Sequence, residues 1–128
     1  EEDGKAIGYA VYFYNYSTWL GKNGIYLEDL YVNESKRGRG AGKAMIKYLA
    51  KKAISENCGR FEWACLDWNT PSRDIYESLG AVALNEWVGY RLEGETLEKF
   101  ANNGYNSSYM IILQLKSKLW TILDKGKK

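Results

Sequence analysis

The sequence predicts an α/β (α+β) domain on a mixed sheet, because its segments run strand, strand, helix, strand, helix, strand. Two changes of period carry that reading. Ala6 to Val32 is rich in aromatic and β-branched residues broken by one turn cluster, whereas from Gly42 apolar residues recur at helical spacing. With 45% apolar residues over 128 positions, the chain has enough for one packed core.

Taken in order, Ala6 to Tyr16 reads as a strand with Ile7, Tyr9, Val11 and Phe13 on one face. Ser17 to Gly24 holds turn residues around Trp19, and Ile25 to Val32 is a second strand, so a hairpin is predicted. A basic, glycine-rich loop follows from Glu34. Gly42, Met45, Ile46, Leu49, Ala50 and Ala53 then mark a helix to Glu56, with Asn57 and Gly59 as its stop. That helix is a crossover, which requires the strands on either side of it to be parallel. Arg60 to Leu66 reads as the third strand, with Cys65 as a small core residue. Asn69 or Thr70 caps a helix that begins at Pro71, the only proline, and ends before Gly80. Trp87 to Leu92 reads as a further strand and Glu95 to Ala101 as a brief helix. Residues 1–101 are taken as the folded core, and 102–128 as a linker and tail.

Composition excludes several chemistries. There is no histidine and no paired CxxC, which removes the usual zinc sites and the Ser-His and Cys-His nucleophile systems. A general base must then be a carboxylate, tyrosine, lysine or relayed water, and no metal is expected. A net charge of +2 is too balanced for a nucleic-acid partner. No apolar run is long enough to span a bilayer, and the acidic start does not resemble a secretory leader. A cytoplasmic protein without a membrane partner is the expectation.

The loop Arg37-Gly38-Arg39-Gly40-Ala41-Gly42-Lys43 is the candidate anion site. Glycines before a helix start expose backbone N–H groups to which the helix dipole adds positive potential. Spacing excludes two nucleotide loops. Gly38 stands too close to Gly42-Lys43 for a Walker loop, and Ala44 replaces its hydroxyl residue. Gly38, Gly40 and Gly42 give GxGxG, not the GxGxxG of a dinucleotide fold.

The remaining pattern, Arg37-x-x-Gly40-x-Gly42, resembles the acetyl-CoA pyrophosphate loop of the GCN5-related N-acetyltransferase (GNAT) family. Tyr26 to Val32 upstream, Asp67-Trp68-Asn69-Thr70-Pro71-Ser72, and Ile75 to Ala81 follow that family's order. Together they look like its diamine (spermidine/spermine) and thialysine acetyltransferase branch.

The resemblance implies a sheet with a V-shaped splay, in which a bulged strand parts from its parallel neighbour. It implies acetyl-CoA as cofactor, held by backbone groups of Leu30, Tyr31 and Val32, by Arg37 to Lys43, and by Asn69, Ser72 and Tyr76. Tyr76 is implied as general acid toward the leaving thiolate. Glu28 is implied as amine ligand and as base through water. Asp29 and Trp19 complete the substrate contacts. Strand alternation puts Glu28 and Asp29 on opposite faces, so only one faces the slot directly. The acceptor is then a primary amine of a small cationic molecule. A protein lysine or N-terminus, and a catalytically silent CoA-binding domain, are the alternatives. A homodimer is the implied assembly. Two departures stand out: the family's opening strand and paired helices are missing from this chain, and Ser17-Thr18 stand where the diamine enzymes carry an acid before the tryptophan.

Overall fold

The computed structural model describes residues 1–104, which fall into two compact units, Glu1–Ala83 and a second from Leu84. In the first unit, β1 (Gly8–Ser17) and β2 (Lys22–Val32) form the expected antiparallel hairpin. Its turn is shorter than the sequence suggested. Asn23 and Gly24 are already in register with Tyr16 and Asn15. Gly24 permits this by absence: a Cβ there would lie 2.4 Å from the Asn15 side-chain oxygen. The buried Ser17 hydroxyl accepts from the Leu20 N–H at 3.0 Å and so closes the turn.

The crossover helix α1 spans Ala41–Ser55 and leads to β3 (Phe61–Trp63), which pairs parallel with β2 from Ile25↔Phe61 to Leu27↔Trp63. The sheet order is β1-β2-β3, and the sheet is mixed as predicted. Helical spacing turns Ile46, Leu49 and Ala53 inward, while Lys43, Lys47 and Lys51 stay exposed. Leu49, 2% exposed, packs with Leu27 and Ile46 as the core, and Ala10, Tyr12, Leu30, Phe61, Trp63 and Tyr76 surround it. Asn57, at φ 56°, supplies the left-handed stop, and the Cys58 N–H reaches back to the Ala53 carbonyl at 2.8 Å. Helix α2 (Thr70–Ser78) closes the unit's regular structure.

Three expectations are corrected. The third strand covers only Phe61–Trp63, not Arg60 to Leu66, because its pairing with β2 stops at Trp63. Cys65 is therefore exposed rather than a core residue. In the second unit, Trp87 to Leu92 forms no strand, and Trp87, Val88 and Tyr90 are exposed. β-propensity becomes a strand only where a neighbour takes the backbone hydrogen bonds, and none pairs with this stretch among the described residues. The brief helix is present as α3, Gly94–Asn102. The sequence reading of residues 105–128 lies outside the described residues. Among the described residues no helix is long and apolar enough to cross a membrane.

Candidate active site

The site begins where β2 loses one partner. From Ile25 to Leu27 the strand is paired on both edges, and beyond Leu27 only β1 pairs with it among the described residues. At the same point the register slips. Val11 faces Asp29 and Tyr12 faces Leu27, so Glu28 is an extra residue without an opposite number. The bulge resets the alternation: Leu27 and Leu30, three apart, both pack toward α1. The rule that sets adjacent residues on opposite faces therefore does not hold across Glu28-Asp29, and the expectation drawn from it is corrected.

Backbone direction follows from the strand's end. The Asn33 N–H donates to the Ile7 carbonyl on the β1 side at 2.7 Å. By alternation Tyr31 also points its backbone groups toward β1, which corrects the expectation of a backbone contact from Tyr31 to the cofactor, while Leu30 and Val32 point theirs to the other edge. On that edge the Val32 carbonyl accepts from Arg37 Nε at 2.9 Å, and the Arg37 guanidinium lies 5.7 Å from the centre of the Tyr31 ring.

The glycine loop follows directly. A short 3-10 turn over Glu34–Lys36 and an extended Arg37 lead to Gly38 and Gly40, at φ 76° and 84°. Side chains other than glycine are strained in this left-handed region. Gly40 is the N-cap of α1 and makes no side-chain cap bond, and no acidic residue stands in the helix's first turn. The first N–H groups, including those of Ala41, Gly42 and Lys43, thus remain for an external acceptor. Gly42 faces inward, and a Cβ there would lie 3.8 Å from Leu30. Lys36 and Arg39 flank the loop, and both pair with Glu2. Sequence reasoning passed over Glu2. Its only signal was the Asp3-Gly4 turn dipeptide after it.

At the other side of the opening stands α2. The Asn69 Oδ1 accepts from the Ser72 N–H at 3.3 Å, so the predicted cap is the first task of that amide, with Pro71 in the first turn. One turn on, Tyr76 packs edge-on against Trp63, their ring centres 5.3 Å apart. Trp63 is the last residue paired with β2, so Tyr76 sits where the two strands part. Burial pushes the Tyr76 phenol above the usual tyrosine range, the nearby Cys65 adds to this, and the Ser72 hydroxyl opposes it.

The two carboxylates differ. Glu28 is exposed at the bulge, whereas Asp29 accepts from the Tyr9 hydroxyl at 3.1 Å. That bond to the carboxylate pushes the Tyr9 phenol above its ordinary value. Tyr9 also stacks on Tyr31, with ring centres 5.4 Å apart. Trp19 is not brought to this cluster within the chain. It is 94% exposed in the hairpin turn, and the rise of β2 from Lys22 to Glu28 sets it about 20 Å from the bulge.

A bulged strand splayed from a parallel neighbour, with an uncapped glycine loop at its end, is the arrangement the sequence motifs implied. Residues 1–81 match the family model described as Acetyltransferase (GNAT) family. The chain belongs to the GNAT family. Among GNAT and related proteins of known name, the thialysine N-epsilon-acetyltransferase of Sus scrofa is 45% identical over 98 residues, 74% of this chain and 57% of the pig protein. The chain thus spans a little over half the length of that relative. Among solved structures, an integron cassette protein from the mobile metagenome of V. cholerae aligns with a TM-score of 0.75 at 35% identity, covering 80% of this chain and 64% of its own. AAC(6')-Iy, solved in complex with the bisubstrate analogue CoA-S-monomethyl-acetylneamine, aligns with a TM-score of 0.61 at 25% identity, covering 73% and 66%.

Proposed function

We propose that this GNAT chain carries the cofactor and catalytic residues of an N-acetyltransferase that moves an acetyl group from acetyl-CoA to a primary amine of a small cationic acceptor. The observation that carries the reading is the opening of β2 after Leu27, which lies between the glycine loop and Tyr76. The residues present suit such a cofactor. Uncapped N–H groups and left-handed glycines at the start of α1 match a pyrophosphate, and the outward backbone of Leu30 and Val32 matches an amide-bearing arm. The kinship with a thialysine acetyltransferase, and with a protein solved with a CoA-containing analogue, supports the same assignment.

When bound, acetyl-CoA supplies the acetyl group as an activated thioester. The N–H of Leu30 or Val32 then donates to the carbonyl oxygen where negative charge develops. Backbone amides from Gly38 to Lys43 would hold the phosphates, with Arg37 and Arg39 alongside, and Asn69 and Ser72 would contact the cofactor from α2. Tyr31 contributes its ring beneath Arg37. Glu28 takes the proton of the acceptor ammonium through water, and Asp29 adds a second negative charge for a polycation. Trp19 is assigned to the acceptor by the family resemblance alone, and a homodimer is the proposed assembly. Tyr76, a protonated phenol at neutral pH, would give its proton to the departing sulfur, and burial pushes its pKa further up. We place the enzyme in the cytoplasm.

The test is CoA release from acetyl-CoA over a panel of diamines, polyamines and lysine analogues. Tyr76→Phe should lower kcat by roughly 10²- to 10⁴-fold. Because the acid form is required and its pKa is raised, activity should fall only above the ordinary tyrosine range as pH rises. CoA binding without turnover on any amine, protein amines included, would leave a silent binding domain.

A further inference from the structure

Two of the cations at the glycine loop, Lys36 and Arg39, are already paired within the chain. Glu2 and Lys5 exchange backbone hydrogen bonds at 2.9 and 3.0 Å, which closes a two-residue turn. Its central residues, Asp3 and Gly4, have φ of 51° and 74°, the pattern of a type I′ turn. The turn holds Glu2 against the loop. Its carboxylate pairs with Lys36 Nζ and lies 3.3 Å from Arg39 Nη1. Glu1, Glu2, Lys36, Arg39 and Gly40 line one shallow depression at the start of α1. Hydrogen bonding and charge from Lys36 hold the Glu2 carboxyl below the usual carboxylate range, so it is an anion at neutral pH.

We propose that Glu2 is a built-in stand-in for phosphate, which the pyrophosphate must displace from Lys36 and Arg39, and that it thereby sets the affinity and charge selectivity of the cofactor site. This rests on the reading of the loop as the CoA phosphate site. The argument is one of competition. A carboxylate and a phosphate of the same sign cannot share two cations a few ångströms from a helix start without repulsion. The carboxylate neutralises the cations for monovalent anions, while a pyrophosphate, with more charge and the helix amides besides, still outcompetes it. The pairs are partly exposed, so the opposition is modest: surface ion pairs of this kind correspond to at most about fivefold in affinity.

Calorimetric titration of the full chain with CoA, and separately with inorganic pyrophosphate, tests this. Glu2→Gln keeps the side chain's size and removes its charge. Gly4→Val keeps the charge and strains the turn that aims it. Both variants should bind CoA and pyrophosphate more tightly than the parent chain, by about two- to fivefold. CoA affinity unchanged or weakened in Glu2→Gln overturns the inference and leaves the acetyltransferase reading intact, with Glu2 reduced to a support for Lys36 and Arg39. Failure of every chain to bind CoA removes both.

Discussion

From Ile25 to Leu27, β2 is hydrogen-bonded on both edges, and Ile25 and Leu27 are buried, Leu27 against Ile46 and Leu49 of α1. From Glu28 to Val32 the same strand pairs, among the described residues, with β1 alone, and it has a bulge at its start and two carboxylates in place of apolar residues. The closed half satisfies its backbone internally and contributes to stability. The open half keeps donors and acceptors for something else. A single strand therefore holds both core residues and candidate-site residues within a span of eleven positions.

Substitutions on either side of the division are the sharpest way to break that comparison. Leu27→Ala should cost about 2–5 kcal/mol of stability through lost burial and a residual cavity, read as a lower midpoint in denaturant. Glu28→Gln, one position along, should leave that midpoint within roughly 0.5 kcal/mol while slowing amine acetylation tenfold or more. Equal stability losses in the two would erase the distinction. Gly40→Ala extends the comparison to the loop. The φ of 84° there costs an L-residue about 1–2 kcal/mol, so CoA affinity should fall roughly tenfold as the loop relaxes. The smallest effect belongs to Asn69→Ala, which removes the α2 cap and should cost about 1 kcal/mol. A loss of CoA affinity there, beyond the loss of stability, would give the amide a second task.

The closed half was the more legible in the sequence. Helical spacing named Ile46, Leu49 and Ala53 correctly, and the crossover rule gave the parallel pairing of β2 with β3. Asn69, Pro71 and Gly80 marked α2 because capping chemistry is local. The bulge at Glu28 left no mark in composition or period, since register depends on the facing strand. Only the family resemblance implied it. Its effect on Glu28 and Asp29 could not come from alternation. The Trp87 to Leu92 stretch failed for the related reason that strand propensity does not supply a partner. Glu2 was hidden because an ion pair spanning more than thirty positions has no sequence signature.

The bond from Arg37 Nε to the Val32 carbonyl has a further consequence. An unpaired strand edge is a template on which another chain can add, and proteins that keep one exposed run the hazard of sticking edge to edge. Here the edge is kinked at one end by the extra residue and stoppered at the other by a guanidinium on its last acceptor. Among the described residues the stretch left between the two is short, which disfavours a ladder with another chain. Arg37 thus allows the opening to persist without becoming a seed for aggregation.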